Sequence, residues 1–214
     1  MISHSIYKNS IILAIFAMVS TALVAFTDLL TRDRIESEKE RALEKILHQI
    51  IPADSYDNDL YRDCILQKDS ELLGSKDLTP IFRARKNNQH IALFIQTVAP
   101  DGYNGAIDLV VGVNEKNEVA GVRVLQHNET PGLGDQIEYR KSHWLDIFLG
   151  RSLDNLAEKH WKVKKDGGEF DALTGATITP RAVVKAVLKT LQYVHLNHDR
   201  LYTLKSNCQE KSDE

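Results

Sequence analysis

Between Lys8 and Asp28 the chain runs for nineteen residues, NSIILAIFAMVSTALVAFT (Asn9–Thr27), without a charge. As a helix rising about 1.5 Å per residue, that run just crosses a hydrocarbon layer about 30 Å thick. We therefore expect a short N-terminal tail over 1–8 and a transmembrane anchor over 9–30. A cleaved signal peptide is the competing reading, but the apolar run is long for one and no clean A-x-A site follows it. Ser20, Thr21 and Thr27 inside the run can bond back to their own helix and need no functional explanation. Beyond the anchor, TRDRIESEKERALEKILHQI sets Ile35, Leu43, Ile46, Leu47 and Ile50 near one helical face among alternating acids and bases. This predicts a helical stalk packing one face on the domain, which with a polar connection fills 31–60.

From Asp63 the period shortens to that of strands. CILQ, IFRAR, IALFIQTV, AIDLVVGV and EVAGVRVLQ follow one another, with Asn87-Asn88 and NEKNE as turn candidates between them. They predict an antiparallel sheet. SHWLDIFLG and RAVVKAVLKTLQYVHL carry apolar residues at helical spacing, and WKVKK reads as a strand between them. Sheet first and helices later is an α+β order, giving one domain over 61–200 and a frayed C-terminal tail over 201–214.

Composition removes several function classes. With 27 basic and 30 acidic residues interleaved for a net charge of −3, there is no footprint for nucleic acid. Cys64 and Cys208 form no C-x-x-C pair, so neither a zinc site nor a dithiol motif is offered; they read as unrelated thiols, or as a disulfide if the compartment is oxidising. His195, His198 and Asp199 have no complementary cluster elsewhere and read as charge compensation at a helix end rather than a metal site. No Ser/His/Asp order or paired-carboxylate motif stands out for hydrolysis.

Candidate chemistry gathers in FDALTGATITP (Phe170–Pro180). Thr179 before Pro180 reads as an N-cap with proline at the first helical position, opening a helix to about Leu196. Thr174, Gly175, Ala176 and Thr177 lie just ahead of that start, where unpaired N–H groups and the positive dipole end favour an anion such as phosphate. In HNETPGLGD, Pro131-Gly132 fits a type II turn and Gly134 relieves the next bend. His127 reads as a strand-end histidine, and Lys164, Lys165 and Asp171 as solvated charges that could reach the phosphate.

The longer run KKDGGEFDALTGATITPRAVVKAV (Lys164–Val187) resembles the covalent flavin-attachment segment of the RnfG family. So do GYNGAIDLVVGVNEKNEVAGVRVLQHNETPGLGDQI and the anchor. That family supplies the G subunit of the Rnf ion-translocating electron transport complex and is similar to the C subunit of the sodium-pumping quinone reductase. The resemblance implies FMN carried on Thr177 through a phosphoester, installed by a separate flavin transferase using FAD and magnesium. It also implies that Glu129, Thr130, Gly132, Leu133 and Gly134 lie against the flavin. It places the chain in the bacterial inner membrane as a single-pass subunit, with its domain on the periplasmic side among other Rnf subunits. Arg32, Arg34, Lys39, Arg41 and Lys45, against only Lys8 and the amino terminus before the anchor, run counter to that side, a bias that weakens when a long domain follows.

Three functions follow. The first is an anchored flavoprotein relaying electrons in ion-coupled transport. The second is an anchored module binding a phosphate-bearing ligand reversibly, without redox work. The third is a self-contained flavin reductase, for which no dinucleotide fingerprint is present.

Overall fold

A computed structural model describes residues 2–208. The chain divides into two compact units, Met1–Lys45 and Ile46–Glu214. Helix α1 runs without a break from Ile2 to His48, joining the expected anchor and stalk. It is long and apolar enough to cross a membrane, and Leu13, Phe16 and Leu23 on it are exposed. Ser20 and Thr27 bond back to the carbonyls of Phe16 and Leu23, both at 2.8 Å, as intramembrane hydroxyls do.

The second unit is α+β. Strands β1 (Cys64–Gln67), β2 (Thr79–Lys86), β3 (Gln89–Ala99), β4 (Ile107–Asn114) and β5 (Val119–Gln126) form one sheet in chain order, every neighbour antiparallel. Asn87 and Asn88, at φ 50° and 63°, close the β2–β3 hairpin as the paired left-handed residues of a tight turn. Ile81, Leu93, Ile95, Leu109, Val111 and Val122 alternate onto one face and are buried beneath helix α2 (Ile178–Thr203). That helix meets them with Val183, Val187, Leu191 and Val194 at helical spacing. On the opposite face Gly112 pairs with Gly121 across β4 and β5. A Cβ on Gly112 would stand 2.5 Å from Ile50 Cγ2, so the glycine pair makes the seat for that side chain. Of the expected stalk positions, Leu47 and Ile50 are buried in the second unit, whereas Ile35 is exposed.

Three expectations are corrected. WKVKK is not a strand: Trp161 turns into the core, Val163 makes one isolated bridge to Phe170, and a 3-10 turn (Lys164–Asp166) ends at Gly167 with φ 80°. Phe148, Trp161 and Phe170 pack there as an aromatic cluster with centroids 5.0–6.4 Å apart. SHWLDIFLG forms only a 3-10 segment, Trp144–Phe148.

The third correction lies at the C-terminus, where α2 continues past Leu196 to Thr203 because two arginines of β2 receive its end. Arg83, itself buried, donates to the carbonyls of Leu201 and Leu204 at 3.0 and 2.6 Å, and Arg85 to that of Tyr202 at 3.1 Å. Asp63 pairs with both guanidinium groups at 2.5 Å. The tail is then tied along β1: the Leu66 N–H donates to Asn207 Oδ1 at 2.6 Å, and Cys208 is disulfide-bonded to Cys64 across a Cα separation of 5.6 Å. The two cysteines are therefore partners, not unrelated thiols. The expected tail beyond Cys208 lies outside the described residues.

Candidate functional site

Three segments of the second unit meet around a cleft of about 330 Å³. The β3–β4 connection supplies Tyr103. The stretch after β5 supplies Glu129, Thr130, Leu133 and Gly134, and the approach to α2 supplies Gly175, Ala176, Thr177, Ile178 and Thr179. The structure thus brings together Thr177, Gly175, Ala176, Glu129, Thr130, Leu133 and Gly134 of the expected residues. Thr174 and Gly132 do not line the cleft; both are exposed in the turns that shape it. Tyr103, Ile178 and Thr179 are additions, and the alternating pattern of β3 and β4 gives no hint that the loop between them reaches this wall.

Each loop has a local reason for its course. Leu133 N–H donates to the Thr130 carbonyl at 3.2 Å, closing a turn in which Gly132 takes φ 79°, as a Pro-Gly type II turn requires. Gly175 has φ 78°, and a Cβ there would sit 2.7 Å from Leu133 Cδ2, so the two loops touch at a position only glycine fits.

Helix α2 begins at Ile178, two residues earlier than expected, with Thr177 as N-cap at φ −104° and ψ −33° and no side-chain cap bond. Thr179 is not the N-cap: it is buried in the first turn, and its hydroxyl donates to Glu129 Oε2. Glu129, also buried, accepts the Asn104 N–H at 3.1 Å through Oε1. One carboxylate therefore joins all three walls. A Cβ on Gly134 would lie 2.8 Å from Glu129 Oε2 and 2.9 Å from Thr179 Oγ1, so Gly134 is small because this junction is tight. The Thr177 hydroxyl, by contrast, is left to the cleft.

Apart from Glu129, the charged residues frame the cleft without lining it. His127 Nδ1 accepts the Glu129 N–H at 3.0 Å, which requires the tautomer protonated on Nε2, and that nitrogen lies 3.2 Å from Glu138 Oε1. Lys141 bridges Asp135 and Glu138 at 2.7 Å each. Hydrogen bonding by Lys141, then by Arg140 and His127, draws Glu138 down from an ordinary 4.5 to about 2. Arg181 grips Asp166 through two 2.6 Å contacts and lowers its carboxyl, and Lys164 pairs with Asp171 at 2.7 Å. Tyr103, Leu133 and Ile178 form an exposed apolar rim.

Residues 102–192, which hold every residue lining the cleft, match the FMN-binding domain family, and residues 1–50 match the RnfG N-terminal region. The G subunit of the ion-translocating oxidoreductase complex of Aliivibrio fischeri is 48% identical over 204 residues, covering 95% of this chain and 97% of its own. Its counterpart of the same name from Shewanella oneidensis is 44% identical over 211 residues, 99% and 100% of the two chains. The chain belongs to the RnfG family. Among solved structures, this RnfG chain is similar to the C subunit of the Na(+)-translocating NADH-quinone reductase from Parabacteroides distasonis. That likeness is 19% in sequence with a TM-score of 0.43, over 65% of this chain and 70% of the other. The RnfG cleft fits FMN by its chemistry: an unbonded hydroxyl at a helix N-terminus for the phosphate end, and an apolar rim for a ring system.

Proposed function

We propose that the chain is the membrane-anchored flavoprotein subunit of an Rnf-type complex, relaying electrons in ion-coupled transport with FMN held on Thr177 through a phosphoester. The observation that carries this reading is the Thr177 hydroxyl, an N-cap without a cap bond that opens on a cleft inside the FMN-binding domain. For attachment, a flavin transferase brings FAD and magnesium. Thr177 Oγ would take the place of AMP on the FMN phosphorus of FAD, the bond to AMP breaking as the phosphoester forms and the hydroxyl proton leaving with AMP. Gly175 and Ala176 keep the approach clear, and the α2 N-terminus stabilises the charge left on the phosphodiester. When bound, FMN supplies reversible electron storage. Glu129, Thr179 and Asn104 fix the three walls around it, Thr130 and Gly132 set the turn that carries Leu133, and Tyr103, Leu133 and Ile178 screen the ring from water.

Membrane anchoring rests on α1, and association with other Rnf subunits on the names of the relatives. The disulfide supports a periplasmic domain, because such bonds persist in oxidising compartments. The deciding test is a denaturing gel of protein made with the transferase present. Flavin fluorescence that survives denaturation, mapped by mass to the Phe170–Pro180 peptide and absent in Thr177→Val, supports the reading. Flavin released on unfolding would favour a reversible phosphate-ligand module instead.

A further inference from the structure

The wall of the cleft contains one charged residue, Glu129, and neither lysine nor arginine. That carboxylate is 4% exposed and its hydrogen bonds come from two neutral donors, the Thr179 hydroxyl and the Asn104 N–H. Three cations on the segments that flank the cleft are paired with other carboxylates: Lys141 with Asp135 and Glu138, Arg181 with Asp166, and Lys164 with Asp171. Neutral donors hold Glu129 in place without cancelling its charge. A charge screened by protein rather than water acts more strongly on its neighbours than one on the surface.

We propose that Glu129 is a tuning residue whose buried, cation-free carboxylate holds the reduction potential of a flavin in this cleft low. The inference rests on the FMN reading of the site. Each electron that reaches the ring without a proton adds one negative charge beside an existing one, so the oxidised form is favoured. In a relay, a lowered potential makes the carrier a stronger donor to whatever follows it.

The test is potentiometry with redox mediators on the full-length, detergent-solubilised, flavin-loaded protein and its variants. Glu129→Gln keeps the shape and an acceptor for Asn104 while removing the charge. It should still carry covalent flavin, and its one-electron equilibrium should move at least tenfold toward reduction, a rise of about 59 mV. Glu129→Asp should stay near the wild type, as should Asp59→Asn, which removes an exposed charge ahead of β1. Glu129→Met with Thr179→Val removes the carboxylate together with its hydroxyl donor, leaving only the Asn104 N–H, on an exposed residue, without its acceptor. It should show the same rise and serves if Glu129→Gln does not fold. An unchanged or lowered potential in the charge-free variants overturns the proposal. So does loss of covalent flavin from folded charge-free variants, which would make Glu129 a support for attachment alone. Wild-type protein without covalent flavin would instead defeat the reading of the site itself, before Glu129 is tested.

Discussion

Thr177 and Thr179 stand two positions apart and should answer substitution in different ways. Thr177→Val keeps the volume and removes the free hydroxyl, so covalent fluorescence should vanish while the melting temperature holds; Thr177→Ser should retain part of the label. Thr179→Ala strands the buried Glu129 carboxylate without its hydroxyl donor, at about 1–3 kcal/mol, measurable by urea titration, yet its folded fraction should still fluoresce after denaturation. The threonine cluster and its glycine were legible in the sequence because their spacing marks a helix start. Which threonine capped the helix was not, since the partner that pulls Thr179 inward is Glu129, fifty positions earlier. The same limit hid Tyr103 and Ile178.

At the level of elements, all five strands were readable from their alternation, and the β2–β3 turn from its asparagine pair. The helix-like and strand-like runs between β5 and α2 misled, because Trp144, Phe148, Trp161 and Phe170 are spaced by the needs of an aromatic cluster rather than by either period. The far end of α2 was equally unreadable, being capped by arginines from another element. The glycine pair under Ile50 yields a prediction: Gly112→Ala drives a methyl into the Ile50 side chain and should cost about 1–3 kcal/mol, seen as a lower denaturant midpoint without loss of flavin. The charged clamp after β5 yields another. Because the Glu138 carboxyl is drawn down to about 2 in the folded state, its contribution is present above its ordinary 4.5 and is lost as pH falls from there to about 2. Replacing Glu138 by Gln should therefore lower the denaturation midpoint at pH 7 and flatten the dependence on acid over that window, as followed by circular dichroism.

For the whole molecule, salt washing should leave the full chain with membranes, and deletion of residues 1–30 should release a soluble domain that still accepts flavin; intact chain in the soluble fraction would count against the anchor. A reporter fused after Glu214 should be active on the periplasmic side. Cys64→Ser with Cys208→Ser should cost the fold about 2–4 kcal/mol, read in urea with the flavin still attached. The cysteine pairing could not be derived from spacing, as the two lie 144 positions apart and only the packing of the tail on β1 brings them together.

That bridge also dictates how the domain matures. A chain with two cysteines has a single possible intramolecular connectivity, so there are no wrong intramolecular pairings to undo. On the proposed periplasmic placement, the second cysteine would leave the ribosome and the export channel long after the first, and Cys64 would stay unpaired with Cys208 until nearly the entire domain had crossed. Maturation should accordingly depend on a periplasmic oxidant and be indifferent to a disulfide isomerase. Thiol-trapping gels of protein from cells lacking one or the other activity should show reduced chain only in the first.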